Sequence, residues 1–417
     1  MRSLVLHPAI ARRDTRRQPE NALAEAVSLA RALDLDVAGS EVVRLPKAHA
    51  GMLFGTGKVE ELAKRIEADE IGLVLIDAAV TPIQQRNLER RWKAKVLDRT
   101  GLILEIFGAR AATREGVLQV DLAALAYQRS RLVRSWTHLE RQRGGLSFIG
   151  GAGETQIEAD RRAIDDAIIR LKRQLAKVVK TRALHRRARK KIPYPIVALV
   201  GYTNAGKSTL FNRLTGAGVL VRDMLFATLD PTMRAVSLPS GREIILSDTV
   251  GFISELPTQL VAAFRATLEE VLDADLILHV RDITHPESRE QADDVNEILT
   301  SLGIGKQARE TQIEVWNKID TATPEQHDAL VTAAARNNRI FAVSATSGEG
   351  IGELLDGIAA ALSDAVSRTT LSLGFAEGRK RAWLFQQNLV DHERQTDSGY
   401  ELDVAWTERQ SRRYEKL

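Results

Sequence analysis

Residues suited to phosphate chemistry stand together at Gly201-Tyr202-Thr203-Asn204-Ala205-Gly206-Lys207-Ser208, followed by Thr209. The spacing G-x-x-x-x-G-K-[ST] lets backbone N–H groups close around phosphate oxygens at a helix start, where the helix dipole is positive. Lys207 then bridges the outer phosphates. The Ser208 hydroxyl is an oxygen ligand of the kind that Mg²⁺ prefers. Further elements follow in chain order. Leu246-Ser247-Asp248-Thr249-Val250-Gly251 closes a strand-like run with D-x-x-G, in which Asp248 can hold Mg²⁺ through water and the Gly251 N–H can touch a terminal phosphate. Glu314-Val315-Trp316-Asn317-Lys318-Ile319-Asp320 closes another with N-K-x-D, whose final carboxylate can accept both guanine N1–H and N2–H₂. Adenine lacks those donors and would leave that carboxylate desolvated and unpaired, which is penalised. Val343-Ser344-Ala345-Thr346 can then supply a backbone N–H to guanine O6. The chemistry implied is binding and hydrolysis of GTP with Mg²⁺ as cofactor.

Between the phosphate loop and D-x-x-G lies Leu225-Phe226-Ala227-Thr228-Leu229-Asp230-Pro231-Thr232. A nucleotide switch needs a threonine whose hydroxyl reaches Mg²⁺ only while the γ-phosphate is present, and by residue type Thr228 and Thr232 tie. Phe252 follows Gly251, where other small GTPases carry a water-orienting glutamine. Phenylalanine cannot do that work. Asn204 offers an amide oxygen for a monovalent cation such as K⁺, or simply tolerates a turn conformation.

The elements that must position these residues are legible around them. Ile196 to Val200 is a buried-strand run before the loop, and Leu210 to Leu214 continues as a helix. Upstream, Asn21 to Leu33 has helical spacing, Val37 to Leu45 suits a strand, and Lys58 to Ile66 a helix opened by Gly55 and Gly57. Ile71 to Ile76 and Lys95 to Leu97 read as strands, with Thr81-Pro82 capping a helix through Trp92 between them. This alternation predicts a parallel sheet. Gly55-Thr56-Gly57-Lys58 is either a helix start or a second phosphate site, although Met52 and Val59 stand where glycine and Ser/Thr are required.

From Leu118 the apolar spacing becomes a heptad through Leu122, Leu125, Leu132, Trp136 and Leu139, and a second seam follows from Ile157 through Ile164, Ile168, Leu171, Leu175 and Val178. Two such helices pack as an antiparallel hairpin. Thr155 with Glu158 could form a capping box for the second. The connection holds five glycines in ten residues, Gly144 to Gly153, with Phe148 and flanking Arg141, Arg143, Arg161 and Arg162. It is a flexible solvated loop or an adaptable contact for RNA. Leu184 to Lys191 reads as a charged linker. The expected domains are 1–115, α/β; 116–191, the hairpin with its tip at 144–153; 193–365, a Ras-like phosphate-loop GTPase domain; and 366–417, a small α/β appendage. In that last stretch Gly378 to Leu389 suits a helix, and Tyr400, Leu402, Val404 and Trp406 alternate as a half-buried strand.

Composition narrows the setting. At 417 residues the chain is multidomain, with no apolar run approaching a membrane span and no cysteine. A cytoplasmic monomer without thiol chemistry is expected. Net charge is +4, yet residues 161–191 carry thirteen Lys/Arg against two Asp, which is +11 and leaves −7 elsewhere. Local basic surface of this kind attracts polyanions.

The chain resembles the HflX family of ribosome-associated GTPases over essentially its whole length. The resemblance rests on Phe226-Ala227-Thr228-Leu229-Asp230-Pro231-Thr232, Asp248-Thr249-Val250-Gly251-Phe252, Leu260-Val261-Ala262-Ala263-Phe264 and Gly153-Glu154-Thr155-Gln156-Ile157-Glu158-Ala159-Asp160-Arg161-Arg162. It implies that Thr228 is the switch threonine and a Mg²⁺ ligand beside Ser208. It further implies the large ribosomal subunit as partner, with the glycine loop directed at ribosomal RNA, and a role in separating stalled ribosomes. The tip departs from the family pattern, because Leu146-Ser147-Phe148 and Ala152 intervene where glycine is usual. Rival readings are a GTPase that assists RNA maturation and a nucleotide-switched scaffold for another protein.

Overall fold

A computed structural model describes residues 1–11, 17–142, 152–189, 194–216, 226, 232–254, 271–272, 274–304, 312–363, 367–387, 389–396, 398–406, 411 and 414. Thr228 and most of the glycine loop lie outside these residues. The chain divides into two compact units, Met1–Leu355 and Asp356–Leu417.

The first unit opens with β1 (Arg2–Ile10), α1 (Pro19–Arg31), β2 (Asp36–Leu45), α2 (Thr56–Ala68), β3 (Leu73–Ile76), α3 (Pro82–Trp92), β4 (Lys95–Asp98) and α4 (Arg99–Arg110). The strands form a wholly parallel sheet in the order β2-β1-β3-β4. Two of these elements, β1 and α4, carry no clear pattern in the sequence. Leu4, Val5 and Leu6 are all buried, as in a central strand covered on both faces, so β1 shows no alternation. Helix α4 buries Leu102, Ile103, Leu104, Ile106 and Phe107, too much of its circumference to leave an apolar stripe. The expected capping box of α3 is present: the Gln84 N–H donates to Thr81 Oγ1 and the Thr81 N–H to Gln84 Oε1.

The hairpin follows as α5 (Arg114–Gln142) and α6 (Ala152–Arg189). Arg129 pairs with Asp165 at 2.7 Å, which fits antiparallel packing about the connection. Two expectations fail here. Helix α6 begins at Ala152, so Thr155 lies inside its first turn rather than capping it. It also runs to Arg189, through most of the stretch expected to be a linker, because Ala, Leu, Lys and Arg are strong helix formers and extend a helix already nucleated.

The rest of this unit comprises β5 (Ile196–Gly201), α7 (Lys207–Thr215), β6 (Thr232–Ser237), β7 (Glu243–Asp248), β8 (Leu276–Asp282), α8 (Ser288–Ser301), β9 (Ile313–Asn317), α9 (Pro324–Ala334) and β10 (Ile340–Ala342). The sheet order is β10-β9-β8-β5-β7-β6, parallel except for the β6–β7 pair. Helix α10 (Ile351–Leu362) crosses the division between the units. The second unit holds β11 (Ser367–Gly374), α11 (Gly378–Gln386), β12 (Val390–Thr396) and β13 (Gly399–Trp406), with antiparallel strands in the order β11-β13-β12. Leu402, Val404 and Trp406 are buried on one face of β13, as their alternation predicts.

Asp98 joins the first sheet to the hairpin. Its carboxylate caps α4 by accepting the Gly101 N–H at 2.8 Å, accepts the Tyr127 hydroxyl at 2.6 Å and pairs with Arg131 at 2.6 Å. Removing one partner of a buried ion pair costs about 3–5 kcal/mol. Asp98→Ala should therefore lower the urea midpoint of this unit strongly, read by circular dichroism, whereas replacement of the exposed Glu60 should barely move it. Equal midpoints would show that Asp98 does not anchor the hairpin.

Candidate functional site

The phosphate loop turns between β5 and α7. Three backbone features explain its residue types. Gly206 has φ +90°, and a Cβ there would stand 2.2 Å from Asn317 Nδ2, so only glycine fits. Asn204 has φ +59°, a left-handed conformation that asparagine tolerates, so the turn accounts for its residue type. Its side chain is exposed. Thr203 is buried, and its hydroxyl has no hydrogen-bond partner among the described residues. A buried polar atom of that kind suits a loop built to meet a polar ligand.

Lys207 is buried at the start of α7 and donates to the carbonyls of Gly201, at 3.1 Å, and Tyr202, at 2.7 Å. Burial lowers its ammonium to about 8, against the pull of Asp248. The Ser208 hydroxyl donates to Asp248 Oδ2 at 2.7 Å, joining the helix start to the D-x-x-G element. A hydroxyl and a carboxylate side by side are hard oxygen ligands, and this set fits Mg²⁺. Thr249 Oγ1 donates to Leu199 O at 2.6 Å, which fixes the end of β7 against β5. Val250 is buried and Gly251 follows it.

Asn317 ties the remaining loops together. Its Nδ2 donates to Ala205 O at 2.9 Å, and its Oδ1 accepts the Ala345 N–H at 3.0 Å. One buried amide thus clamps the phosphate loop to the segment Ser344-Ala345-Thr346. Within the segment Val343 to Thr346, expected to offer a backbone N–H to guanine O6, the Ala345 N–H is thus already bonded to Asn317. Lys318 has φ +69° and pairs with Asp282 at 2.7 Å, Ile319 is buried, and Asp320 is exposed beside them. Thr346 O accepts from Arg213 of α7 at 2.8 Å. These loops are brought to one end of the sheet. Ala227, Thr228, Leu229 and Asp230 lie outside the described residues.

Two candidate residues face elsewhere. Phe226 is 2% exposed and packs edge-on against Phe107 of α4, its ring 4.6 Å away, while its carbonyl accepts from Arg110 at 3.0 Å. Tyr202 places its hydroxyl 2.6 Å from Glu25 of α1. Residue type gave no sign of either contact, because both partners lie more than a hundred positions away in sequence. Phe252 is 1% exposed, so its side chain cannot approach a water at the phosphates. At the tempting Gly55–Lys58 stretch, Gly55 stands at the N-cap of α2 and Lys58 is paired with Glu41 and Glu61.

The depressed Lys207 has a measurable consequence. In the protein without nucleotide the neutral amine gains population above about pH 8. Phosphate oxygens favour the ammonium, so nucleotide binding should take up a proton at about pH 9 and almost none at about pH 7. Calorimetry in buffers of different ionisation enthalpy reads this directly. An uptake that is the same at both pH values would contradict the burial of Lys207.

The chain matches family models along its length: GTP-binding GTPase N-terminal over residues 20–108, GTP-binding GTPase middle region over 110–189, 50S ribosome-binding GTPase over 196–318 and HflX C-terminal domain over 329–417. It is 54% identical to the GTPase HflX of Magnetococcus marinus over 91% of this chain and 86% of that one. The GTPase HflX of Escherichia coli is 45% identical over 84% of this chain and 81% of its own. Among solved structures, the complex of SsGBP with GDP aligns with a TM-score of 0.50 and 24% identity over 86% of this chain and 98% of that one, a likeness of fold alone. With four family models in register and a phosphate loop, D-x-x-G and N-K-x-D gathered at one end of a single sheet, the chain is a GTPase of the HflX family.

Proposed function

We propose that this GTPase binds the large ribosomal subunit, is activated by it, and separates stalled or inactive ribosomes in the cytoplasm as a monomer. The observation that carries the reading is the basic hairpin: of residues 161–191, at +11, those from 161 to 189 lie on a long helix, and the connection at its tip is rich in glycine and flanked by Arg141, Arg143, Arg161 and Arg162. Such a projection suits phosphate backbones and unstacked RNA bases. The description of the family model over 196–318 as a 50S ribosome-binding GTPase supports the same partner.

In this reading Lys207 and the N–H groups of Gly201 through Ser208 hold the phosphates, and Asn317 and Asp320 hold the base. Ser208 and Thr228 would hold Mg²⁺, and Asp248 would support the site through its bond to the Ser208 hydroxyl. The ion, when bound, neutralises charge on the β- and γ-phosphates. Gly251 contacts the γ-phosphate through its N–H. Phe226, Ala227, Leu229 and Asp230 form the segment that carries Thr228, and Phe226 tethers it to α4. Asn204, whose side chain is exposed on the loop, would hold K⁺ against the phosphates through its amide oxygen. Phe252 leaves the attacking water without a side chain to orient it, so the free protein turns over slowly and the partner must order the switch.

The expected result is that purified large subunits raise kcat well above the basal rate. Deleting Gly144 to Gly153 should remove most of that gain and leave basal turnover intact, because none of the residues assigned to the nucleotide lies in that stretch. Fast turnover by the free protein, indifferent to added subunits, would sink the reading.

A further inference from the structure

The carboxylate of Asp282, at the end of β8, belongs to none of the nucleotide motifs, yet both of its oxygens are engaged beside N-K-x-D. Oδ2 pairs with the Lys318 ammonium at 2.7 Å, and Oδ1 accepts the Thr284 hydroxyl at 3.0 Å. Thr284 Oγ1 in turn lies 2.8 Å from Thr321 Oγ1, which lies 2.9 Å from Lys318 O. The run of contacts leaves Lys318 through its side chain and returns to it through its carbonyl, closing a ring. The backbones meet at the same point: Asp282 is paired with Asn317 across β8 and β9, and the Ile283 N–H donates to Asn317 O at 3.2 Å.

Two hydroxyl protons serve this ring. Lys318 O already receives the Thr321 N–H at 3.0 Å, which frees the Thr321 hydroxyl to donate to Thr284 and the Thr284 hydroxyl to donate to Asp282. A run that ends on a carboxylate is charge-assisted and therefore stronger than one between neutral groups. What the ring encloses is the turn that carries Asp320. That residue is exposed in the short 3₁₀ turn Ile319–Thr321, so its direction is set by the turn itself. Lys318, just before the turn, holds a φ of +69°, uncommon for a residue with a side chain, and its ammonium is the atom that Asp282 fixes.

We propose that Asp282 and Thr284 are positioning residues for guanine recognition: the ring fixes the turn from Lys318 to Thr321 so that both Asp320 oxygens meet the base, and thereby sets how strongly the site prefers guanine to a purine without the 2-amino group. The proposal rests on the assignment of Asp320 to the base. Two parallel hydrogen bonds from one carboxylate demand a fixed direction, whereas a single bond tolerates a swing. Loosening the turn therefore weakens the bond to the 2-amino group before the bond to N1–H.

The test measures the Kd of GDP and of IDP, whose base keeps N1–H but lacks the 2-amino group, on the full-length protein. Thr284→Val keeps the shape of the side chain and breaks the ring at its middle, and Asp282→Ala removes its charged end. In each, GDP should weaken more than IDP, so that the preference for GDP shrinks by about threefold or more. Thr284→Ser, which keeps the hydroxyl, should retain the preference of the unaltered protein. A preference left intact by Thr284→Val and Asp282→Ala, whether both nucleotides weaken equally or neither moves, would overturn the proposal. Loss of the preference in Thr284→Ser as complete as in Thr284→Val would overturn it too, because packing rather than the hydroxyl would then be at work. Asp320→Ala alone should abolish the preference; if it does not, the assignment of the base site itself is wrong and the proposal falls with it.

Discussion

Arg99 is buried between two carboxylates, Glu25 and Asp77, and the joining of the nucleotide-binding loops to the N-terminal domain depends on that arrangement. Burial opposes ionisation of all three groups, but the mutual attraction outweighs it: both carboxyls are held below their usual range and the guanidinium above it. Such a cluster tolerates little change, because removing one charge strands the others in a poorly solvated site. Its place in the fold follows from topology. In the order β2-β1-β3-β4 the direction of winding reverses beside β1, and the crevice at the carboxyl ends of such strands is where α/β domains receive ligands. Here that crevice receives Ser254 and Tyr202 of the GTPase domain.

The apolar contacts follow the same plan. Phe107, Ile103 and Ile106 of α4 share one cluster with Phe226, Phe252 and Ile253. The N-terminal domain thus touches the segment before D-x-x-G and the segment after it. Phe252, which takes the place of a catalytic glutamine, is in this light a packing residue. Its burial keeps the end of the D-x-x-G element against the phosphate loop, and the chemical deficit it leaves is one that an external partner can supply.

The phosphate loop was legible because its glycines, lysine and serine answer to local geometry: φ at Gly206, the approach of Asn317, and a helix start at Lys207. The same holds for α3, where Thr81, Pro82 and Gln84 declare the cap. Strand β1 and helix α4 were not legible, since burial on most sides erases the periodicity that distinguishes helix from strand. The end of α6 departs from the charged linker expected over Leu184 to Lys191, because Arg, Lys, Leu and Ala are strong helix formers and extend a helix to Arg189. The contacts of Tyr202 and Phe226 could not be read at all. Each is an ordinary aromatic in its own motif, and its function is set by Glu25 or Phe107, which are distant in the chain.

If the two switch segments are gripped by the N-terminal domain, and the hairpin that grows from that domain meets RNA, nucleotide state must alter partner affinity. The direct measurement is equilibrium binding of the full-length protein to purified large ribosomal subunits at fixed salt, with a non-hydrolysable GTP analogue and with GDP. The account predicts tighter binding with the analogue by about tenfold. Identical affinity in the two nucleotide states would contradict it, because the nucleotide site and the hairpin would then be energetically independent.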